Sequence, residues 1–109
     1  MKKFLVIYGM SSDAIADFMQ NSTKEQQEAD MKDWNEWMEN NKEHMADMGN
    51  PVGKNTRLTK DSVEEISNDI AGYSIMQAES KEDLIEIIKT GPHLNMPKSY
   101  TEVMEIVEM

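Results

Sequence analysis

The run Phe4-Leu5-Val6-Ile7-Tyr8 is apolar at every position, so a strand built from it presents apolar side chains on both faces. Such a strand belongs in the middle of a sheet, and something must cover each side of it. A second apolar strand is read over Ile70 to Gln77, containing Tyr73, Ile75 and Met76. The other strand candidates are polar. Lys54 to Lys60 alternates weakly, and Thr101 to Met109 carries Glu102, Glu105 and Glu108, which suits both to sheet edges.

Between the first two strands the period changes. Met31, Trp34, Met38, Met45 and Met48 recur at intervals of three, four and seven, which predicts one stripe of a long helix reaching about Asp47, with Trp37 beside it. Thr23 with Gln26, or Ser22 with Glu25, has capping-box spacing at its start, and Gly49-Asn50-Pro51 and Gly53 are read as its end. Asp13 to Met19 has the length of a short preceding helix. Ser80 with Asp83 opens a further helix, buried through Leu84, Ile87 and Ile88 and stopped at Gly91-Pro92. The order β, α, β, β, α, β predicts an α+β domain of ferredoxin-like βαββαβ design spanning 1–109, with strands placed 4-1-3-2 by right-handed crossovers. Both helices then cover one face. The apolar side chains that Phe4 to Tyr8 and Val103 to Val107 show on the other face are expected to be buried by pairing of two copies into a homodimer.

Charge narrows the partners. With 21 acidic against 11 basic side chains the formal charge is −10, which repels nucleic-acid backbones. The start resembles a signal peptide, but the apolar run stops at Gly9-Met10-Ser11-Ser12-Asp13 without a small-residue cleavage site, and no other stretch is long and apolar enough for a membrane span. The chain has no cysteine, which fits a cytoplasmic location. Two histidines without cysteine argue against zinc, no cofactor motif is present, and the eleven methionines read as adaptable core filling.

Topology picks out candidates for chemistry better than any motif. The loops at 9–24, 61–69 and 90–100 fall at one end of the sheet and gather Tyr8, Ser11, Asp13, Asn68, Asp69, His93 and Tyr100 there. His93, just after Gly91-Pro92, is the candidate general base or hydrogen-bond donor to an anionic ligand, with Asp69 as the carboxylate that orients it. The plainer reading is that its ring satisfies carbonyls of its own loop. Trp34, Trp37 and Tyr73 are candidate walls of a ligand pocket, each also explicable as packing, and Ser11 and Asn68 are candidate polar contacts. His44 falls at the opposite end, beside Glu43 and Asp47.

Lys3-Phe4-Leu5-Val6-Ile7-Tyr8, Trp34-x-x-Trp37-Met38, Gly49-x-Pro51-Val52-Gly53, Gly72-Tyr73-Ser74-Ile75, Ala78-Glu79-Ser80, Pro92-His93-Leu94 and Glu102-Val103-Met104-Glu105-Ile106 together resemble the YCII-related (YciI-like, DGPF-type) domain family. The resemblance implies a dimeric α+β barrel. YciI-like members are associated with a proposed catalytic histidine and aspartate, some relatives with dechlorination of aromatic ring-cleavage substrates, and DGPF-type members with extracytoplasmic sigma factors. Asp47 matches the family's aspartate, whereas the family's helix histidine falls near Trp37 or Met38. His93 is therefore the histidine carried over.

The leading expectation is a dimeric small-molecule-binding domain with its pocket between sheet and long helix, entered from the His93 end. The alternatives are a lyase or hydrolase using His93 as general base, and a regulatory interaction module.

Overall fold

A computed structural model describes residues 1–108. Its main sheet contains β1 (Lys2–Met10), β2 (Met45–Pro51), β5 (Ile70–Ala78) and β6 (Ser99–Glu105), in the order β2-β5-β1-β6 with every pair antiparallel. β3 (Thr56–Leu58) and β4 (Val63–Glu65) pair only with each other. The helices are α1 (Ser12–Asn21), α2 (Lys24–Asn40) and α3 (Lys81–Lys89), and short 3-10 turns occupy Lys42–His44 and His93–Asn95. The fold is the expected ferredoxin-like α+β one, with the two apolar strands central.

The strand at the β5 edge is not the expected one. Met45–Pro51 takes that place, and the weakly alternating segment after Lys54 instead forms half of the separate ribbon. The long helix accordingly stops at Asn40 and not near Asp47. Six polar residues from Glu39 to His44 interrupt the stripe, so a continued helix would have had no apolar side chain to bury there. Asn41 closes the helix by donating its Nδ2–H to the Trp37 carbonyl at 2.8 Å. Met45 and Met48 thus sit on a strand, where Met45 pairs with Met76. The register of β2 slips twice, and Gly49, at φ 73°, lies in the second slip, where an added Cβ would collide with the Tyr73 carbonyl.

The last strand runs over Ser99–Glu105 and not from Thr101 to Met109, the last of which lies outside the described residues, and Val103, opposite Val6, packs on the covered side and not the uncovered one. The helix starts agree with the sequence. Thr23 and Gln26 form the capping box reciprocally, at 3.1 and 2.9 Å, and Ser80 Oγ accepts the Asp83 N–H at 3.1 Å. On the helix-covered side, Phe4, Val6, Tyr8 and Met10 of β1 and Ser74, Met76 and Ala78 of β5 are buried, packed with Trp37, Leu84 and Ile88. Each fully buried large side chain here contributes about 1.5–3 kcal/mol. On the other side, Leu5, Ile7, Tyr73 and Ile75 are half-buried and Met104 is exposed, with no helix over them.

Candidate functional site

Strand periodicity brings the site together. Tyr8 and Ser74 project from neighbouring central strands toward α2, and their hydroxyls are hydrogen-bonded at 2.8 Å while both residues are buried. Burial pushes the Tyr8 hydroxyl above its ordinary value near 10, partly offset by the bond to Ser74. Across the other neighbour, Tyr8 pairs with Thr101, whose buried Oγ1 has no hydrogen-bond partner among the described residues. Trp34 meets the Tyr8 ring edge-on at 5.2 Å and Trp37 at 5.7 Å, so one indole links helix and sheet. Trp37 is buried, and its Nε1–H is shared between Thr90 Oγ1 at 3.0 Å and the Ile87 carbonyl at 3.3 Å, tying α2 to the end of α3.

His93 completes this cluster. It is only 6% exposed, its ring lies 5.3 Å from that of Tyr8 and 6.2 Å from Trp34, and Nε2 is 3.0 Å from both the Gly9 and the Tyr100 carbonyls. Two carbonyl acceptors at one nitrogen require that nitrogen to carry the proton. In the neutral ring Nδ1 then holds the lone pair. The Tyr100 carbonyl closes the histidine's own loop, as the plainer reading expects, and the Gly9 carbonyl belongs to β1, so the ring fastens the turn at 93–95 onto β1 and β6.

The remaining sequence candidates are placed apart from the cluster. Asp69 is exposed, its backbone carbonyl accepts the Met10 N–H at 2.7 Å, and its carboxylate is not among the partners of His93. Its charge instead acts on Tyr100, whose hydroxyl is pushed up by lost hydration first and by Asp69 and Glu102 next. Tyr73 pairs with Ile7 on the uncovered side of the sheet and cannot wall a pocket under α2. Ser11 caps α1, accepting the Ala14 N–H at 3.1 Å. Asn68 Oδ1 accepts from the Ile70 N–H at 3.0 Å and from Asn55 at 3.2 Å. His44 Nδ1 lies 2.9 Å from the Gln77 carbonyl, at the far end as expected.

Beyond Tyr8 on the same face of β1 comes Met10, and there a cleft of about 550 Å³ opens between α1, the first turns of α2 and the loop at Pro97 and Lys98. Met10, Ala14, Phe18 and Pro97 give it apolar surface, while Asp13, Asp17, Asp30, Asn21, Gln26 and Lys98 supply polar groups. It lies at the His93 end: Met10 follows Gly9 in the chain, and Lys98 precedes Tyr100 by two residues. Among the described residues no three histidine or acidic side chains converge so as to hold a metal ion.

No family model matches the chain, and no curated protein does. In structure it is similar to 5-chloro-2-hydroxyhydroquinone dehydrochlorinase from Burkholderia phenoliruptrix AC1100, solved in complex with 2,5-dihydroxybenzoquinone. The match has a TM-score of 0.61 over 98% of this chain and 95% of that one, at 16% identity. A likeness at that identity is one of fold, and it covers the whole βαββαβ arrangement.

The sequence reading did not single out Ser74 or the cleft residues Phe18, Asp30 and Lys98. Ser74 carried a usable signal, since it is a lone hydroxyl on an apolar central strand and shares the period-two face that points at Tyr8. The cleft carried none. Its walls come from segments far apart in the chain, and no local pattern joins them.

Proposed function

We propose that this chain is a homodimeric small-molecule-binding domain of YCII-related type, taking a ring-sized ligand in the cleft at Met10, Phe18 and Lys98. The carrying observation is the cleft itself, at the His93 end of the sheet, where Met10, Phe18 and Pro97 offer an apolar floor and Asn21, Gln26 and Lys98 offer polar atoms for the ring's hydroxyls. The quinone bound by the structurally similar dehydrochlorinase is of fitting size. Three aspartates against one lysine at the rim disfavour an anion, so a neutral hydroquinone suits the cleft better than an ionised dihydroxyquinone. Isothermal titration with hydroquinones and with 2,5-dihydroxybenzoquinone tests this. Binding of the neutral ring, weakened at least tenfold in Phe18→Ala, supports the reading, and equal binding by that variant removes the cleft.

The dimer is supported by surface area. The chain exposes 7947 Å², whereas a compact monomer of 12.5 kDa exposes about 6,200 Å². Its radius of gyration, 15.4 Å, likewise exceeds the roughly 13 Å of a compact chain of this length. The excess area is of the size that one subunit buries in an obligate dimer, and the uncovered sheet side supplies the apolar surface for it.

A second reading, an enzyme of lyase or hydrolase type, is favoured by one feature: two strand carbonyls hold Nε2 of His93, which leaves Nδ1 as the ring nitrogen to take a proton. In this version the carbonyls orient the base and Asp69 does not. Chloride release from 5-chloro-2-hydroxyhydroquinone, abolished in His93→Gln with binding retained, is the expected result, and release unchanged in that variant excludes His93 as the base.

A further inference from the structure

Residues 52–69 form the part of the chain that the main sheet does not use. β3 and β4 make a separate ribbon in which all six strand residues are exposed. Its tip is closed by the Thr59 N–H on the Ser62 carbonyl at 2.9 Å and by the paired hydroxyls of the same residues at 2.6 Å. Its stem is closed by the Ile66 N–H on the Asn55 carbonyl at 2.9 Å. A two-stranded ribbon without cover is marginal in water, so its hydrogen bonds alone do not account for it.

Register gives the ribbon two unlike sides. Leu58 stands directly opposite Val63 near the tip, on the side that Thr56 and Glu65 share at the stem, while Arg57 and Glu64, of opposite charge, stand opposite each other on the other side. Leu58 is 70% and Val63 72% exposed. Charge separates this segment from the rest as well: Lys54, Arg57 and Lys60 balance Asp61, Glu64 and Glu65, so residues 54–65 are neutral in a chain of net charge −10. Two copies of so acidic a chain repel each other over most of their surface, and a neutral, apolar-tipped ribbon approaches the other copy without that cost. The ribbon leaves the sheet after β2 and rejoins it at β5, so it extends from the β2–β5 edge as an arm outside the subunit's own core.

We propose that the β3–β4 ribbon is a clasp that lays Leu58 and Val63 on a second copy of this chain. The inference rests on the homodimer reading and adds to it a contact outside the sheet. It also assigns part of the surplus exposed area to the ribbon. The clasp explains why an exposed apolar pair persists on a ribbon that contributes nothing to the subunit's own core.

The test is sedimentation of the full chain and of the double variant Leu58→Ser, Val63→Ser, with circular dichroism confirming an unchanged fold. The expected result is a dimer whose dissociation constant rises tenfold or more in the variant. A dimer of unchanged affinity overturns the clasp while leaving the sheet-face dimer standing, whereas a monomeric wild-type chain overturns both. Because the chain has no cysteine, Leu58→Cys carrying a short photo-crosslinker gives a second readout. Cross-links between two copies support the clasp, and cross-links solely within one copy, or only to other proteins in a lysate, overturn it.

Discussion

The two sides of β1 are made of similar residues and meet different fates. Phe4 and Val6 are wholly inaccessible, packed under the helices, while Leu5 and Ile7 between them remain half-buried. Alternation along one strand therefore gives an internal control. On the covered side the chain completes its own core and even satisfies a buried tyrosine with a serine hydroxyl. On the uncovered side it has equivalent apolar side chains and nothing of its own to place on them. We read the first side as the ligand-facing half of the molecule and the second as the self-associating half.

The largest effect should come from cutting the covered side. Phe4→Ala should cost about 3–5 kcal/mol in urea unfolding, at every protein concentration. Leu5→Ala should cost less, and on the proposed dimer its cost should fade on dilution into the monomeric range, where a second copy would no longer cover it. Equal, concentration-independent losses would erase the distinction between the two sides.

Tyr8→Phe sharpens the comparison within the covered side. It strands the Ser74 hydroxyl and should cost about 1–3 kcal/mol at neutral pH. Because burial raises the folded-state value of Tyr8, the unfolded chain releases that proton first as pH rises. The resulting stability is complete below about pH 10 and is lost as pH climbs through the raised value. Melting curves from pH 8 to 11 should therefore fall less steeply for the phenylalanine variant, and an identical alkaline limb would show that Tyr8 is not the group responsible.

The smallest expected change is a gain. Thr101 holds a buried hydroxyl without a partner among the described residues, so the isosteric Thr101→Val should raise stability by about 0.5–1 kcal/mol. A loss of stability would mean that this hydroxyl is satisfied in solution.

How much of this was legible in the sequence follows from the range over which each signal acts. The central strands, the strand order and the caps at Thr23 and Ser80 are written in local periodicity and side-chain chemistry. The end of α2 is not legible, because a seven-residue interval fits a helix even across a polar gap. The place of the edge strand depends on that end, which puts it at Met45–Pro51 and not at the ribbon segment. The side on which Tyr73 lies is written in its parity with Ile75, which places it on the uncovered side and not at a pocket wall. For His93 the partner in its own loop, the Tyr100 carbonyl, is legible from the sequence, whereas the Gly9 carbonyl is not, because tertiary structure brings it there.

One experiment addresses both halves at once. Backbone-amide NMR of the isotopically labelled chain, recorded first as a function of protein concentration and then as hydroquinone is added, should give two separate maps. Concentration should move Leu5, Ile7 and Ile75 on the uncovered side, and ligand should move Met10, Phe18 and Lys98 around the cleft. Ligand-induced shifts centred on Ile7, Tyr73 and Ile75, or a spectrum indifferent to concentration, would contradict the division of labour between the two sides of the sheet.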